Sequence, residues 1–359
     1  MKIVQMMESS ATGTLSMVCL IANRFAREGH EVHVIYSIRD ETPSNIHAMF
    51  DSNVVLRHVQ MKGVPLLPVI VRLRSVLREI QPDVIHLHSS VAGFLGRIAA
   101  LFASRRATVL YSPHCISFMR QDISRPTRFA FVALEWMATM RKCLYVACSE
   151  SERKAVRAYL RQPVVVVENA VGEMRIVPAG LPVQSRPAVK YVVTVGGIRP
   201  QKNPLLFAEI ANGLRNSGLR FIWIGDGDAA LKEQLRNAGV EVTGWMTRSQ
   251  VEQWLRQACV YLSTSSWEGM PVSVIEAMLL GVPVVVSACA GNVDIVRPSH
   301  TGAVFTTSAD AMRFIADFAD DHLLRDLIGA RAQREASERF AEARFFQQLA
   351  PFYAGRLAS

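Results

Sequence analysis

The chain has 359 residues, of which half are hydrophobic and a fifth are charged. These totals favour a globular protein of two domains and exclude an intrinsically disordered chain. The net charge is +9, and residues 1–165 carry all of it, with 21 Lys and Arg against 12 Asp and Glu; residues 166–359 hold 19 of each. This asymmetry predicts that the first half meets an anionic surface.

The cysteines and the start of the chain indicate the compartment. The six cysteines are scattered without a CxxC pair, and no histidine cluster has the spacing of a zinc site. We therefore expect reduced thiols, a cytoplasmic protein and no bound metal. The segment MKIVQMMESS lacks the apolar core of a secretory signal, and no run of about 18 apolar residues is free of charges or breakers, so no transmembrane helix is expected.

The first half alternates short apolar runs with helical patterns. Near-continuous apolar runs are typical of parallel strands that are covered on both faces. Strands are predicted at KIVQMM, EVHVIYS, NVVLRHV, DVIHLHS, ATVLYS, CLYVACS and PVVVVEN. The first helix between them is predicted to end at Gly29. This half forms a predicted first domain over residues 1–168.

A proline- and glycine-rich linker is predicted at 169–189, after which the alternation restarts. The second domain is predicted at 190–339, with a helix at about 340–357 that packs back on the first domain. The fold class is therefore predicted as α/β, with two Rossmann-like doubly wound domains that face an interdomain cleft. Ligands of such sheets bind at the carboxyl ends of the strands.

Three stretches follow strands of the first half. ESSATGT places Gly13 before a helix, where it serves either as a simple turn or for close approach to a ligand. In HLHSS, His86 and His88 point the same way, and we favour histidines that line the cleft or sit in the core over metal ligands. His114 follows the next strand, either as an ordinary loop residue or as a group that donates to a sugar hydroxyl or polarises a leaving group.

Two stretches of the second half are more informative. In VTVGGIRPQKNP, Arg199 and Lys202 lie beyond a glycine turn and can converge on a diphosphate. In WEGMPVSVIEAM, a helix is predicted to begin at Pro271, so its free N–H groups form an anion site beside Glu268 and Glu276. Two carboxylates beside an anion site fit a ligand that has both a diphosphate and sugar hydroxyls; the alternative is that they pair with arginines elsewhere.

These motifs resemble the retaining glycosyltransferases of family 4, in particular those that build bacterial surface polysaccharides. The resemblance rests on Glu268-x7-Glu276 with GGIRPQKNP upstream, and more weakly on REGHEVHVIYS, PDVIHLHSS, SPHCISF, ACSESER and VVVVENAV. It implies the GT-B fold over essentially the whole chain and a hexosyl- or N-acetylhexosaminyltransferase. The implied donor is a nucleotide sugar, expected to be UDP-linked, used without a cofactor or divalent metal.

The resemblance also implies residue roles. Glu276 would bind the ribose, Glu268 the transferred sugar, and Arg199 with Lys202 the leaving diphosphate, while His114 would touch the sugar near the reacting carbon. The implied catalytic set is His114, Arg199, Lys202 and Glu268. The implied donor-binding set is Gly13, Thr14, Gly197, Arg199, Lys202, Trp245, Met246, Glu268, Gly269, Met270, Pro271, Val272 and Glu276.

The implied chemistry is a same-face displacement through an oxocarbenium-like transition state, with a phosphate oxygen taking the acceptor proton. Both glutamates would then be binding groups and not the acid and nucleophile of a hydrolase. Two features depart from the family pattern: the first loop has only Gly13, and Glu168-Asn169-Ala170 stands where Pro-Asn-Gly is usual.

The acceptor side is expected on the first half. VPLLPVIVRLRSVLREI resembles a basic amphipathic surface segment, which suits an anionic membrane leaflet. We expect a lipid-linked saccharide acceptor, a peripheral place on the inner face of the cell membrane, and no nucleic-acid partner. Residues assigned to this side are His88, Arg72, Arg74, Arg78, Arg105 and Arg106. Two alternatives stay open: a sugar-nucleotide epimerase of the same fold, and a non-catalytic sugar-nucleotide sensor.

Overall fold

The computed structural model describes residues 1–10, 12–172 and 189–355. The chain divides into two compact units, which we call unit 1 (Met1–Asn169 with Phe345–Ser359) and unit 2 (Ala170–Arg344). Most of the predicted linker, 173–188, lies outside the described residues. None of the helices within the described ranges is long and apolar enough to cross a lipid bilayer.

Unit 1 contains a sheet of seven strands in the order β3-β2-β1-β4-β5-β6-β7, and every neighbouring pair is parallel. The strands are β1 (Lys2–Met7), β2 (Glu31–Tyr36), β3 (Val54–His58), β4 (Val84–His88), β5 (Thr108–Ser112), β6 (Leu144–Ala147) and β7 (Val164–Val166). All seven were predicted from their apolar runs. Such runs are expected here because helices cover the sheet.

The helices of unit 1 connect these strands. They are α1 (Thr12–Arg27), α2 (Leu66–Ile80), α3 (Ser90–Ala103), α4 (Arg125–Ala138), α5 (Glu150–Leu160) and, from the end of the chain, α13 (Glu342–Tyr353). Helices α2, α3 and α5 share one buried apolar core with the strands. The last helix packs against α1, where the ring of Phe25 contacts the rings of Phe346 and Tyr353.

Unit 2 contains a sheet of six parallel strands in the order β10-β9-β8-β11-β12-β13. The strands are β8 (Lys190–Val195), β9 (Leu219–Ile224), β10 (Glu241–Val242), β11 (Ala258–Ser263), β12 (Val284–Ser287) and β13 (Gly302–Phe305). The helices are α6 (Pro204–Gly213), α7 (Ala229–Asn237), α8 (Arg248–Gln257), α9 (Val272–Leu279), α10 (Asn292–Ile295), α11 (Ser308–Asp320) and α12 (His322–Arg339). The predicted α/β class and its two doubly wound sheets are thus confirmed.

Two helix boundaries differ from the predictions. Helix α1 begins at Thr12, so Gly13 and Thr14 lie in its first turn and not in a loop before it. Helix α9 begins at Val272, and Pro271 is its N-cap and not its first residue. Its end agrees with prediction: Gly281 adopts φ +71°, and the amides of Gly281 and Val282 donate to Met278 and Ala277 in a Schellman motif.

The strand order reverses once in each sheet, between β1 and β4 in unit 1 and between β8 and β11 in unit 2. At such a switch point the loops leave on opposite sides of the sheet and open a crevice at the carboxyl ends of the strands. In unit 2 the loops that flank this point are 196–203, after β8, and 264–271, after β11. These loops hold the predicted Arg199, Lys202 and Glu268.

Candidate active site

The two loops at the switch point of unit 2 are tied together by side chains. The Thr264 hydroxyl donates to the carbonyl oxygens of Lys202 at 2.8 Å and Asn203 at 3.1 Å. Gln201 donates from Nε2 to the main-chain carbonyl of Trp267 at 3.1 Å, and the main-chain carbonyl of Gln201 accepts from the backbone amide of Ser266 at 2.9 Å. The loops therefore form one rigid edge of the site.

Lys202 and Glu268 form an ion pair across this edge. The Lys202 Nζ atom lies 2.8 Å from Oε1 of Glu268, and the two side chains are only 14% and 9% exposed. The same carboxylate accepts from the Ser265 hydroxyl at 2.8 Å and from Gln201 Nε2 at 3.3 Å. Burial opposes the charge on Lys202, yet the Glu268 carboxylate raises the pKa of the amine above its usual value.

Glu268 therefore has a partner within the protein, as one reading of the sequence allowed, but that partner is a lysine and not an arginine. A carboxylate offers about four lone-pair positions, and the three bonds named above leave room for one more donor. The pair thus presents a positive and a negative group side by side. It can hold a phosphate oxygen and a hydroxyl at neighbouring positions.

Arg199 and Gly197 form the neighbouring part of the site. The Arg199 Nε atom is buried and has no hydrogen-bond partner among the described residues, which is costly unless a ligand supplies one. Gly197 lies against the half-exposed ring of Trp245: a methyl group added at Gly197 would lie 3.4 Å from the ring and 3.7 Å from Nε of Arg199. The structure thus brings these three predicted residues together, with Met246 next to Trp245 in the chain.

Helix α9 points its N-terminus at this edge. No side chain of the described residues caps its first turn, which follows Gly269, Met270 and Pro271, so the backbone N–H groups of this turn can bind an anion. The eight-residue helix carries Glu276 in its middle.

Glu276 differs from Glu268 because its carboxylate receives no hydrogen bond from the described part of the chain. Burial raises the pKa of Glu276 to about 7; the Arg248 guanidinium lowers this pKa and the Glu252 carboxylate raises it. A partly buried carboxylate without donors is destabilising in the free protein and is satisfied when a ligand provides hydroxyl groups.

In unit 1, His114 and His88 lie at the carboxyl edge of the sheet, 3.0 Å apart between Nε2 and Nδ1. His88 is fully buried, and its Nε2 lies 2.8 Å from Oε1 of Gln5. Its predicted place on the acceptor or membrane side is therefore wrong as a direct contact. His86 is also buried, with its ring centroid 4.1 Å from that of His88.

Of the arginines predicted for the membrane side, Arg72, Arg74 and Arg78 lie on helix α2 of unit 1, and Arg105 and Arg106 lie in the turn between α3 and β5. Arg72, Arg78, Arg105 and Arg106 are exposed. Arg74 is half-buried with its guanidinium over the ring of Phe102.

Comparison with known families identifies the family of this chain. A family model described as "Glycosyltransferase Family 4" matches residues 12–173, and one described as "Glycosyl transferases group 1" matches residues 189–320. The two models together match well over half of the chain. The chain belongs to glycosyltransferase family 4. The predicted family resemblance and the class of enzyme are thereby confirmed.

Curated relatives of this glycosyltransferase include two named enzymes. A UDP-Gal:α-D-GlcNAc-diphosphoundecaprenol α-1,3-galactosyltransferase of Escherichia coli is 29% identical over 65% of this chain and 65% of its own length. A lipopolysaccharide 1,6-galactosyltransferase of Salmonella typhimurium is 30% identical over 57% of this chain and 59% of its own length. Each match therefore spans less than two thirds of the relative.

Solved structures share the fold of the glycosyltransferase. The crystal structure of Anabaena HepE in complex with UDP-glucose superimposes with a TM-score of 0.83 at 18% identity, covering 99% of this chain and 100% of that one. At this identity the likeness concerns the fold alone.

Several residues at the carboxyl edges of the two sheets were missed by the sequence analysis. Gln201 and Ser265 hold Glu268, while Gln5 and Tyr353 contact the histidines of unit 1. The sequence did contain one signal for Gln5: it is a glutamine within the apolar strand KIVQMM, and a buried amide needs a hydrogen-bond partner. Tyr353 gave no such signal, because its partners are more than 260 residues away in the chain.

Gly291 provides a test of how the site is held. It adopts φ +85°, and a Cβ atom there would lie 2.6 Å from Cβ of Glu268 and 2.8 Å from its carbonyl carbon. We predict that Gly291→Ala displaces Glu268 and lowers the free energy of unfolding by about 2 kcal/mol more than backbone strain alone.

Gly239→Ala is the matched control, because Gly239 has φ +82° in the same unit with nothing within 4 Å of an added Cβ. It should cost only about 1–2 kcal/mol, the strain of a left-handed residue. Both variants are measured by urea unfolding. Equal losses of stability would contradict the packing of Gly291 on Glu268.

Proposed function

We propose that this glycosyltransferase moves a hexosyl or N-acetylhexosaminyl group from a UDP-sugar to a lipid-linked saccharide, with retention of configuration and without a metal ion. One observation carries the proposal. Within the part of the chain that the structure describes, three features occur together at the switch point of unit 2: a buried arginine nitrogen without a partner, an uncapped helix N-terminus and a carboxylate without donors. A diphosphate and a ribose satisfy all three.

Arg199 and Lys202 are proposed to bind the diphosphate. Each guanidinium or ammonium group that faces the leaving diphosphate stabilises the negative charge that develops there as the glycosidic bond breaks. The first turn of α9, near Gly269, Met270, Pro271 and Val272, supplies further N–H donors. These fixed cations and amides take the place of the divalent metal that other enzymes use to stabilise a diphosphate leaving group.

The two carboxylates are proposed to bind hydroxyls. Glu276 accepts from the ribose, and Glu268 accepts from the transferred sugar through its remaining lone-pair position. The backbone around Trp245 and Met246 faces the base. Gly13 and Thr14, in the first turn of α1, offer amides to phosphate.

The reaction is proposed to be a same-face displacement. The acceptor hydroxyl attacks as the diphosphate leaves, and a phosphate oxygen takes its proton, so no protein carboxylate acts as nucleophile. Catalysis then rests on positioning and on electrostatic stabilisation of the leaving group. His114 contributes a contact with a substrate hydroxyl.

The relatives support the substrate classes. The Escherichia coli relative is named for UDP-galactose and a diphosphoundecaprenol-linked acceptor, and HepE was crystallised with UDP-glucose. A lipid-linked acceptor requires access to a membrane. The helix layer of unit 1 suits this, because it exposes apolar side chains among arginines: Leu66, Leu67, Val71, Phe102, Phe129, Trp136, Met137 and Met140.

The direct test is transfer by the purified chain in the presence of EDTA. With UDP-hexoses and an α-GlcNAc-diphospho-lipid, we expect UDP release that requires the lipid, and a product whose anomeric protons show an α-linkage from the α-linked donor. Arg199→Ala and Lys202→Ala should each lower kcat about 100-fold or more, because each removes charge stabilisation of the leaving group.

Lys190→Ala is the matched control for Lys202. Lys190 begins the strand that Lys202 follows, and it pairs with Asp320 at the opposite edge of the sheet. It should transfer at the wild-type rate. Release of a free epimerised donor would favour the epimerase alternative, and binding of a UDP-sugar without turnover would favour the sensor alternative. Either result would overturn the proposal, and so would a product with inverted configuration.

Glu276 predicts a pH dependence of donor binding. Its pKa is about 7 in the free protein, and ribose hydroxyls that donate to the carboxylate favour the ionised form. Binding below pH 7 must then expel a proton, so affinity for a UDP-sugar should fall by up to about tenfold per pH unit below 7 and level off above it. Calorimetric titration from pH 5.5 to 8.5 measures this.

The Glu276→Gln variant separates this effect from other titrating groups, because an amide does not ionise. Its affinity should be lower at pH 8 and nearly independent of pH. A UDP-sugar is used in place of UDP because both its phosphates stay ionised over this range. An equal slope in wild type and variant would contradict the role of Glu276.

Membrane docking is tested with vesicles and exposure-matched variants. We expect the full chain to co-sediment with phosphatidylglycerol vesicles and not with phosphatidylcholine vesicles, and to dissociate at high salt, since each cation near the surface contributes about 1 kcal/mol. Leu67→Ser should weaken binding. Leu323→Ser, at 72% exposure in unit 2 against 71% for Leu67, should not.

Charge is tested by Arg105→Glu with Arg106→Glu in unit 1, which should reduce binding more than Arg220→Glu in unit 2. Equal binding to both kinds of vesicle, or equal effects of the two leucine variants, would contradict docking through the helix layer of unit 1.

A further inference from the structure

A chain of hydrogen bonds runs through the interior of unit 1 and ends at His114. From the far end, Ser112 Oγ lies 2.9 Å from His86 Nε2, and His86 Nδ1 lies 2.7 Å from the hydroxyl of Tyr353. The Tyr353 hydroxyl accepts from Gln5 Nε2 at 2.9 Å. Gln5 Oε1 then contacts His88 Nε2, and His88 Nδ1 contacts His114 Nε2.

The side-chain amide of Gln5 determines which atom donates in each hydrogen bond of this series. Its oxygen can only accept, so Nε2 of His88 carries a proton, and a neutral imidazole then accepts at Nδ1. The proton between His88 and His114 must therefore belong to Nε2 of His114. On the other side, the nitrogen of Gln5 donates to Tyr353, whose own proton goes to Nδ1 of His86.

Every internal group in the chain has a partner, and burial keeps the rings neutral. His86 and His88 are fully buried, and Gln5 is as well. Burial lowers the pKa of His114 to about 4 and that of His88 well below its usual value. A neutral ring has one donor and one acceptor, so the bond to His88 uses the only N–H of His114.

The backbone at His114 is held as firmly as its ring. His114 and Cys115 both have positive φ, +53° and +84°, which is costly for residues other than glycine and is common at functional sites. The buried carboxylate of Glu152 accepts from the amides of Cys115 at 2.8 Å and Ile116 at 3.0 Å. The remaining ring nitrogen, Nδ1, has no partner within the described ranges.

We infer that Gln5 and Tyr353 are positioning residues that hold His114 as the Nε2-protonated tautomer, so that its Nδ1 accepts a hydrogen bond from a substrate hydroxyl. The source of that hydroxyl rests on the proposed function, whereas the tautomer does not. This differs from the donor role that the sequence left open for His114. The last helix of the chain, through Tyr353, thus sets the chemistry of a loop more than 200 residues earlier.

The tautomer is read directly from the 15N chemical shifts of the imidazole rings in the full-length protein at pH 7. We expect His114 to be protonated at Nε2 and bare at Nδ1, and His88 to be the same. Spectra of His114→Gln identify the signal. A His114 ring protonated at Nδ1, or one that carries both protons, overturns the inference without reference to activity.

Tyr353→Phe tests the positioning role. It keeps the ring that packs on Phe25 but frees the amide of Gln5 to rotate, so both tautomers of His88 and His114 should be populated. We expect kcat/KM for transfer to fall about fivefold, the value of one neutral hydrogen bond. Unchanged 15N shifts together with unchanged kcat/KM would overturn the positioning role.

Leu349→Ala is the matched control in the same helix. Leu349 is fully buried and lies outside the hydrogen-bond chain, so the variant loosens α13 without touching the tautomer. It should lower the melting temperature and leave kcat/KM within about twofold of wild type; an equal loss of kcat/KM would mean that helix packing, not the tautomer, matters. If wild type transfers no sugar, the proposed function fails while the shifts still decide the tautomer.

Discussion

The ion pair between Lys202 and Glu268 is the contact on which the site of unit 2 depends. Two side chains that are almost fully buried carry opposite charges on loops from neighbouring strands, and each charge would be costly without the other. The strand order brings these loops together, and the hydroxyl of Thr264 and the amide of Gln201 hold them there. The two loops thus hold the ion pair in place, and Gly291 leaves room for Glu268.

The two glutamates eight residues apart show how environment separates identical side chains. Glu268 receives an ammonium, a hydroxyl and an amide, so its charge is compensated before any ligand arrives. Glu276 receives none of these from the described residues, and burial brings its pKa to about 7. Glu268 is therefore part of the framework that ties the two loops together, whereas the Glu276 carboxylate is left without a hydrogen bond from the described residues.

Most of the fold could be predicted because parallel strands that are buried on both faces leave near-continuous apolar runs. Contacts between side chains that follow different strands left no comparable pattern in the sequence. The spacing of Arg199 and Lys202 predicted a diphosphate site, but it could not show that Lys202 contacts Glu268, since the two are 66 positions apart in the chain. Likewise HLHSS showed that His86 and His88 share a face, but it could not show that His86 bonds Tyr353, from the far end of the chain, or that His88 bonds Gln5.

The carboxyl edges of the two sheets differ in charge. At the switch point of unit 2, Arg199 and the ion pair of Lys202 and Glu268 supply charged groups. At that of unit 1, the buried Glu8 is paired with Arg39, and the histidines are neutral and linked by hydrogen bonds, so little charge is left for a ligand. The surplus of cations in the first half must therefore lie elsewhere, and Arg72 on α2 and Arg105 and Arg106 in the turn after α3 are indeed exposed. Unit 1 thus separates its polar groups by surface: neutral hydrogen-bonding side chains lie at the strand ends, and the surplus of positive charge lies on the outside, where it acts over a longer range.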